Sequence, residues 1–78
     1  MLEASNDRQD PPQLTPRERE LLEMLVEGIG ISAATESLGI SLHTTRTHVK
    51  HLHAKTGTHR LDELVAWAHR YPKYWQTA

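Results

Sequence analysis

Cysteine is absent from this chain of 78 residues. No disulfide can therefore staple the fold, and no thiolate is available to bind a metal ion. Long apolar runs are also lacking, since no stretch approaches the roughly 18 residues that a membrane span needs. The first residues do not show the basic and then apolar pattern of a signal peptide. We therefore expect one small domain that is soluble and cytoplasmic, without contact with a membrane.

Acidic residues are missing from one stretch of the chain, residues 37–61. The whole chain has nine Lys and Arg against ten Asp and Glu, for a net charge of −1. The acid-free stretch carries four Lys and Arg and five His, so it is +4 with neutral His and the remainder is −5. A locally basic face can bind a polyanion because counterion release is local. The distribution favours nucleic-acid binding over a merely solvated charged face.

Apolar spacing and end signals predict four helices and no strand, which makes the fold class all-α. The predicted spans are about 16–27, 31–38, 42–55, and from near 58 or 60 to Pro72. Thr15 and Glu18 have the spacing of a capping box, and Ser41 can cap the third helix. Ser32 or a neighbour is the expected cap of the second helix. The helices are expected to end at three glycines, Gly28, Gly39 and Gly57.

The third predicted helix is amphipathic. Its inward seam has steps of four, three and four residues and consists of Thr45, Val49, Leu52 and Thr56. Its opposite face carries His43, Arg46, Thr47 and Lys50. Thr45 and Thr56 are weak points of the seam, where a drier core would be expected. A short helix joined to a basic one by a tight turn that contains glycine is typical of a helix-turn-helix.

Several blocks of the chain resemble the LuxR-type domain, also called the GerE or NarL/FixJ-type DNA-binding domain. They are residues 14–20, 27–28, 38–41, 44–50, 55–57 and 63–66. The resemblance extends from about Leu14 to Arg70. It implies a tri-helical core plus a fourth helix in a domain of residues 14–71. Residues 1–13 are then expected to be a flexible segment or linker, and residues 72–78 a C-terminal tail.

The resemblance implies bacterial transcription regulation by sequence-specific binding of double-stranded DNA. The recognition helix of about 42–55 would lie in the major groove, with a dimer on repeated half-sites. Arg46, Thr47 and Lys50 fall where the family places side chains against base edges. Residues better placed for phosphates are Ser32, Ser41, His43, Thr44, His48, His51, Lys55 and Arg60. The family uses its fourth helix for dimer contacts, which makes candidates of Leu64, Trp67, Ala68 and Tyr71.

Enzyme chemistry is not expected, because the chain has no glycine-rich phosphate loop and no nucleophile in a triad-like context. We expect no cofactor, no small-molecule site and no metal site. His48 and His51 are three residues apart on one helical face, but a structural zinc site needs four ligands. Glu18 is expected to act as a cap or as the ion-pair partner of a basic residue on the third helix.

Two questions stay open at this point. The aromatic residues Trp67, Tyr71, Tyr74 and Trp75 either cover the core or form a partner surface. The rival function is a helix-turn-helix that binds another protein and has little DNA affinity, which the net charge and the acidic first helix favour. Regulators of this family carry a sensing or receiver domain ahead of the helix-turn-helix, so both a fragment and a stand-alone regulator are possible. RNA polymerase is a further candidate partner.

Overall fold

A computed structural model describes residues 13–76, and all regular structure in this range is helical. The five helices are α1 (Pro16–Val26), α2 (Ile31–Leu38), α3 (Leu42–Thr56), α4 (Leu61–Arg70) and α5 (Pro72–Trp75). The predicted all-α class is confirmed, with one short helix more than the four predicted. Of the N-terminal segment predicted to be a linker, only Gln13 lies within the described residues.

Within the described range, none of the helices combines the length and the apolar character that a membrane crossing needs.

The helix starts follow the polar residues that precede them. The Thr15 hydroxyl accepts a hydrogen bond from the Glu18 amide at 3.1 Å, and Glu18 Oε1 accepts one from the Thr15 amide at 3.0 Å. This reciprocal pair is the predicted capping box of α1. The Ser41 hydroxyl accepts from the Thr44 amide at 3.1 Å, as expected for the cap of α3. The N-cap of α2 is Gly30, so Ser32 lies within the first turn.

Two glycines end α2 and α3 in the left-handed region. Gly39 has φ 68° and Gly57 has φ 72°. A side chain beyond Cα makes this conformation costly, which is why glycine is common just after a helix. Gly39 begins the three-residue connection between α2 and α3, and the two helices pack against each other.

The core is built around α1, which packs against α2, α3 and α4. Its leucines Leu21 and Leu22 are fully buried. The buried apolar residues are Leu14, Leu21, Leu22, Leu25, Ala34, Leu52, Leu64, Ala68 and Trp75. Each of the five helices contributes at least one of these residues, so α3 packs on a core that all the helices share.

Two of the residues predicted to form a dimer surface belong to this core. Leu64 is 0% exposed and Ala68 is 1% exposed. They lie on the side of α4 that faces the interior, and α4 packs against α1 and α3. Their prediction as contact residues of a dimer is corrected here, because a side chain inside the core cannot also present surface to a second chain. Trp67 is half-buried and Tyr71 is exposed.

Helix α5 was not predicted, because Pro72 was interpreted as the end of the fourth helix and the following residues as a tail. Proline is also favoured at the first position of a helix, where its missing N–H costs nothing. Pro72 begins α5 in this way, and Trp75 is consequently buried with 2% exposure. The Trp75 indole N–H donates to the Ala68 carbonyl at 2.9 Å, and Arg19 Nε donates to the Trp75 carbonyl at 2.9 Å. These two bonds tie the described end of the chain to α4 and α1.

We predict that Trp75→Ala destabilises the fold by about 3–5 kcal/mol, the usual cost of removing a large buried aromatic. In a domain whose core supplies only about that much, the variant should be largely unfolded. Urea unfolding followed by circular dichroism measures this. Tyr74→Ala is the matched control, since Tyr74 is the neighbouring residue and is 44% exposed. Equal losses for the two variants would contradict the core role of Trp75.

Candidate nucleic-acid interface

The outward face of α3 is a continuous polar stripe. His43, Arg46 and Lys50 are exposed and Thr47 is half-buried. Steps of three and four residues place them on one side of a helix. No acidic residue occurs in α3, and none of the described side chains forms an ion pair with Arg46 or Lys50. The stripe is therefore positively charged, and the charged groups of Arg46 and Lys50 are available to a ligand.

The buried side of α3 is linked to α2 by a hydrogen bond between the hydroxyl groups of Thr35 and Thr45. Thr45 is 0% exposed. The Thr35 hydroxyl donates to Thr45 Oγ1 at 2.7 Å, and the Thr45 hydroxyl donates to the Ser41 carbonyl at 3.2 Å. A buried hydroxyl without such partners would destabilise the core. The predicted weak point at Thr45 is thus a satisfied polar contact between the two helices of the helix-turn-helix.

The start of α3 presents a second polar group. The Ser41 hydroxyl donates to Thr44 Oγ1 at 3.0 Å while accepting from the Thr44 amide. Ser41 is exposed and Thr44 is half-buried. A helix N-terminus attracts anions because its first amides point outward unpaired. The predicted phosphate contacts Ser41, His43 and Thr44 therefore lie together at an end of α3 that suits an anion. Ser32 is exposed in the first turn of α2.

The other end of α3 is anchored to α1 by Glu18, whose side chain is only 3% exposed. Glu18 Oε1 accepts from Lys55 Nζ at 2.8 Å as well as from the Thr15 amide. Lys55 Nζ also donates to the Gln13 carbonyl at 2.8 Å. Glu18 is expected from the sequence to act as a cap or as the ion-pair partner of a basic residue on the third helix, and in the structure it does both. Lys55, predicted as a phosphate contact, is instead engaged in holding the two helices together.

The ionisation of Glu18 follows from these contacts. Burial raises the pKa of the Glu18 carboxyl, but the hydrogen bonds from Lys55 and the Thr15 amide and the charges of Lys55 and His51 outweigh it. The pKa of Glu18 is therefore lowered, and the carboxylate stays charged. Stability from this ion pair is present above the ordinary pKa of glutamic acid and is lost as the pH falls through the lowered pKa.

The remaining predicted phosphate contacts are His48 and His51, further along α3, and Arg60, which precedes α4. His51 is exposed with its Nδ1 3.6 Å from Glu18 Oε2. His48 is half-buried, and its Nδ1 is buried without a hydrogen-bond partner among the described residues. Arg60 is the exposed N-cap of α4 and pairs with Asp62 at 3.3 Å. Sequence spacing placed His48 and His51 on one face but missed their proximity to Glu18, which only the packing of α1 on α3 creates.

We predict that Lys55→Met destabilises the fold by about 2 kcal/mol, because it leaves the Glu18 carboxylate buried without its charged donor. The difference in the free energy of unfolding between the variant and the unmodified chain should be largest at neutral pH. It should shrink as the pH falls through the lowered pKa of Glu18. Histidines 48 and 51, the other titratable groups at this carboxylate, are present in both proteins. Urea unfolding across a pH series measures the effect. Lys50→Met is the control on the same helix, and an equal loss there would refute the anchoring role.

Comparison with known proteins agrees with the geometry. Residues 12–68 match the family described as bacterial regulatory proteins, luxR family. The nitrate/nitrite response regulator protein NarL of Escherichia coli strain K12 is 34% identical over 61 residues, which cover 78% of this chain and 28% of NarL. The transcriptional regulatory protein MctR of Rhizobium johnstonii is 38% identical over 68 residues, or 87% of this chain and 31% of MctR.

A third relative, the monoamine regulon transcriptional regulator of Klebsiella aerogenes, is 39% identical over 56 residues, or 72% of this chain and 25% of that protein. The chain thus spans less than a third of the length of these relatives. No solved structure matches. Because the family match covers most of the chain and agrees with the helix-turn-helix, this chain belongs to the LuxR family of bacterial regulatory proteins, a family of DNA-binding transcription regulators.

Proposed function

We propose that this domain binds double-stranded DNA in a sequence-specific manner, with α3 in the major groove. The observation that carries the proposal is the exposed stripe of His43, Arg46, Thr47 and Lys50 on a helix without acidic residues. The opposite side of α3 is fixed by the buried residues Thr45 and Leu52. A helix held in this way by its back can enter a groove without rearranging the domain.

The three central side chains of the stripe suit base edges. A guanidinium can fork onto O6 and N7 of a guanine, which makes Arg46 the strongest candidate for reading a base. Lys50, one turn further along, can reach a guanine or a phosphate. The Thr47 hydroxyl already donates to the His43 carbonyl at 3.1 Å, so its methyl group is the part available to contact a thymine methyl.

The polar groups around the stripe would position the domain on the phosphates. Ser41, His43 and Thr44 lie at the start of α3, and Ser32 lies in the first turn of α2. Contacts of this kind fix the register on DNA but carry no sequence information. Arg60 pairs with Asp62 at 3.3 Å, but its side chain is 71% exposed and its other N–H donors could serve a flanking phosphate. Lys55 is left out of the proposal because Glu18 and Gln13 hold its ammonium group.

A homodimer on repeated half-sites is the assembly that we propose, through the exposed aromatic side of α4 and α5. The Tyr71 and Tyr74 rings are stacked with centroids 5.5 Å apart, and Trp67 lies 5.8 Å from Tyr71. Tyr71 and Tyr74 are 39% and 44% exposed. Aromatic residues are enriched at protein interfaces, because they bury a large area with few rotatable bonds. Of the four dimer candidates given by the sequence, Trp67 on α4 and Tyr71 just after it therefore remain in the proposal, and the buried Leu64 and Ala68 do not.

The rival function, a protein-interaction module with little DNA affinity, is favoured by one observation. The outer side of α1 exposes Glu20 and Glu23, and Glu27, its C-cap, is exposed as well. An acidic helix would repel DNA if it approached the backbone, whereas it would suit a basic protein surface.

Salt dependence separates the two functions. If the domain makes several phosphate contacts, its affinity for duplex DNA should fall about tenfold or more between low and moderate salt, because binding releases condensed counterions. Fluorescence anisotropy of a labelled duplex carrying sites selected from a random library measures this. A weak affinity that is the same for selected and random duplexes would favour the interaction module.

We predict that Arg46→Ala weakens binding to the selected site by about 1–3 kcal/mol and relaxes the base preference at one position. Site selection repeated with the variant measures both effects. Arg17→Ala is the matched control, because Arg17 is an exposed arginine of α1 that pairs with Glu20. An unchanged base preference in Arg46→Ala would show that the reading face lies elsewhere.

A further inference from the structure

Three side chains with metal-binding atoms meet where α1 packs on α3. They are Glu18 from α1 and His48 and His51 from α3. One ring nitrogen of each histidine and one carboxylate oxygen lie within 4.8 Å of one another. The two histidines are three residues apart, so they occupy the same side of the helix. Among residues 13–76, no other group of three histidine and acidic side chains comes this close.

Some polar atoms of these three side chains lack a good hydrogen-bond partner, which points to a ligand. Glu18 Oε1 accepts from Lys55 and Thr15, while Glu18 Oε2 lies 3.6 Å from His51 Nδ1, beyond a good hydrogen bond. His48 Nδ1 is buried and has no hydrogen-bond partner within the described part of the chain. Buried polar atoms are almost always paired, so the unpaired imidazole nitrogen of a histidine in this cluster calls for an explanation.

We propose that Glu18, His48 and His51 form a binding site for a transition-metal dication, with zinc as the representative ion. Neutral imidazole and carboxylate are ligands that zinc prefers, and three protein ligands leave one position open. A tetrahedral site holds ligand atoms about 3.3 Å apart. The His51 side chain is 56% exposed, so its ring has room to rotate and reach this spacing.

The sequence predicts no metal site, because neither a cysteine nor a well-spaced acid accompanies the histidines and a structural zinc site needs four ligands. The third ligand comes from a different helix, and the cap of α1 fixes its orientation. Lys55 occupies the other carboxylate oxygen and repels a dication, so we expect weaker binding than in a closed site with four ligands. The bound ion would connect the first turn of α1 to the middle of α3. The site can be tested without DNA.

The experiment titrates zinc chloride into the 78-residue chain and follows binding by isothermal calorimetry and stability by thermal unfolding. The site predicts binding of one zinc ion and a rise in the unfolding midpoint, because the ion binds the folded chain in preference. Magnesium chloride should leave the midpoint unchanged, since magnesium prefers oxygen ligands. The same rise with both salts, or no zinc binding, would overturn the proposal.

Variants test which side chains hold the ion. His51→Gln and His48→Gln should each weaken zinc binding about tenfold or more. His69→Gln is the matched control, because it removes an exposed histidine of α4 and leaves the cluster intact. If His69→Gln weakens binding as much as His51→Gln does, zinc binds the six histidines without a defined site.

An NMR measurement covers the case in which His48→Gln disturbs the fold. Imidazole carbon and nitrogen resonances of the unmodified chain are recorded with and without zinc. The proposal predicts large shifts for His48 and His51 and small ones for the other four histidines. Shifts spread evenly over all six would overturn it.

Discussion

The carboxylate of Glu18 links the beginning of α1 to the end of α3, and the placement of α3 depends on that link. It closes the capping box with Thr15 and holds the ammonium group of Lys55. Charged hydrogen bonds of this kind are worth more than neutral ones, and a buried carboxylate that lost them would destabilise the fold. The interaction therefore stabilises one arrangement of α1 and α3 relative to arrangements in which these hydrogen bonds are lost.

A second fastening acts at the other end of α3. The hydroxyl pair of Thr35 and Thr45 connects α2 to the first turns of α3. With Glu18 holding the last turns, α3 is fixed at both ends, and Leu52 in between is fully buried. Such fixing matters in a domain this small, because its apolar core alone supplies little stability. The exposed polar stripe of α3 therefore has a fixed orientation relative to the rest of the domain, as a helix that contacts base edges requires.

Local signals in the sequence predicted much of this fold. The cap at Thr15, the cap at Ser41 and the glycines after α2 and α3 act through nearby backbone atoms, so their spacing alone reveals them. The faces of α3 follow from helical periodicity in the same way. The partner of Thr45 and the histidines beside Glu18 could not be predicted, because these contacts join residues that only the packing brings together.

Helix α5 and the buried side of α4 illustrate the same limit. Pro72 is consistent both with the end of a helix and with the start of another. Only the indole of Trp75, bonded to the Ala68 carbonyl, decides between the two. Leu64 and Ala68 are apolar, which suits a core position and an interface position equally. The sequence therefore does not distinguish the two, and their burial depends on where α1 packs.

The most direct test of the account is to map DNA contacts on the folded chain by amide NMR, with a duplex bound at low salt. The account predicts that the largest shifts fall on residues 41–50 of α3 and its cap and on the first turn of α2. The amides around Leu64 and Trp75, whose side chains are buried in the core, should move little. Large shifts confined to α4 and α5, with α3 unaffected, would contradict the assignment of α3 as the recognition helix.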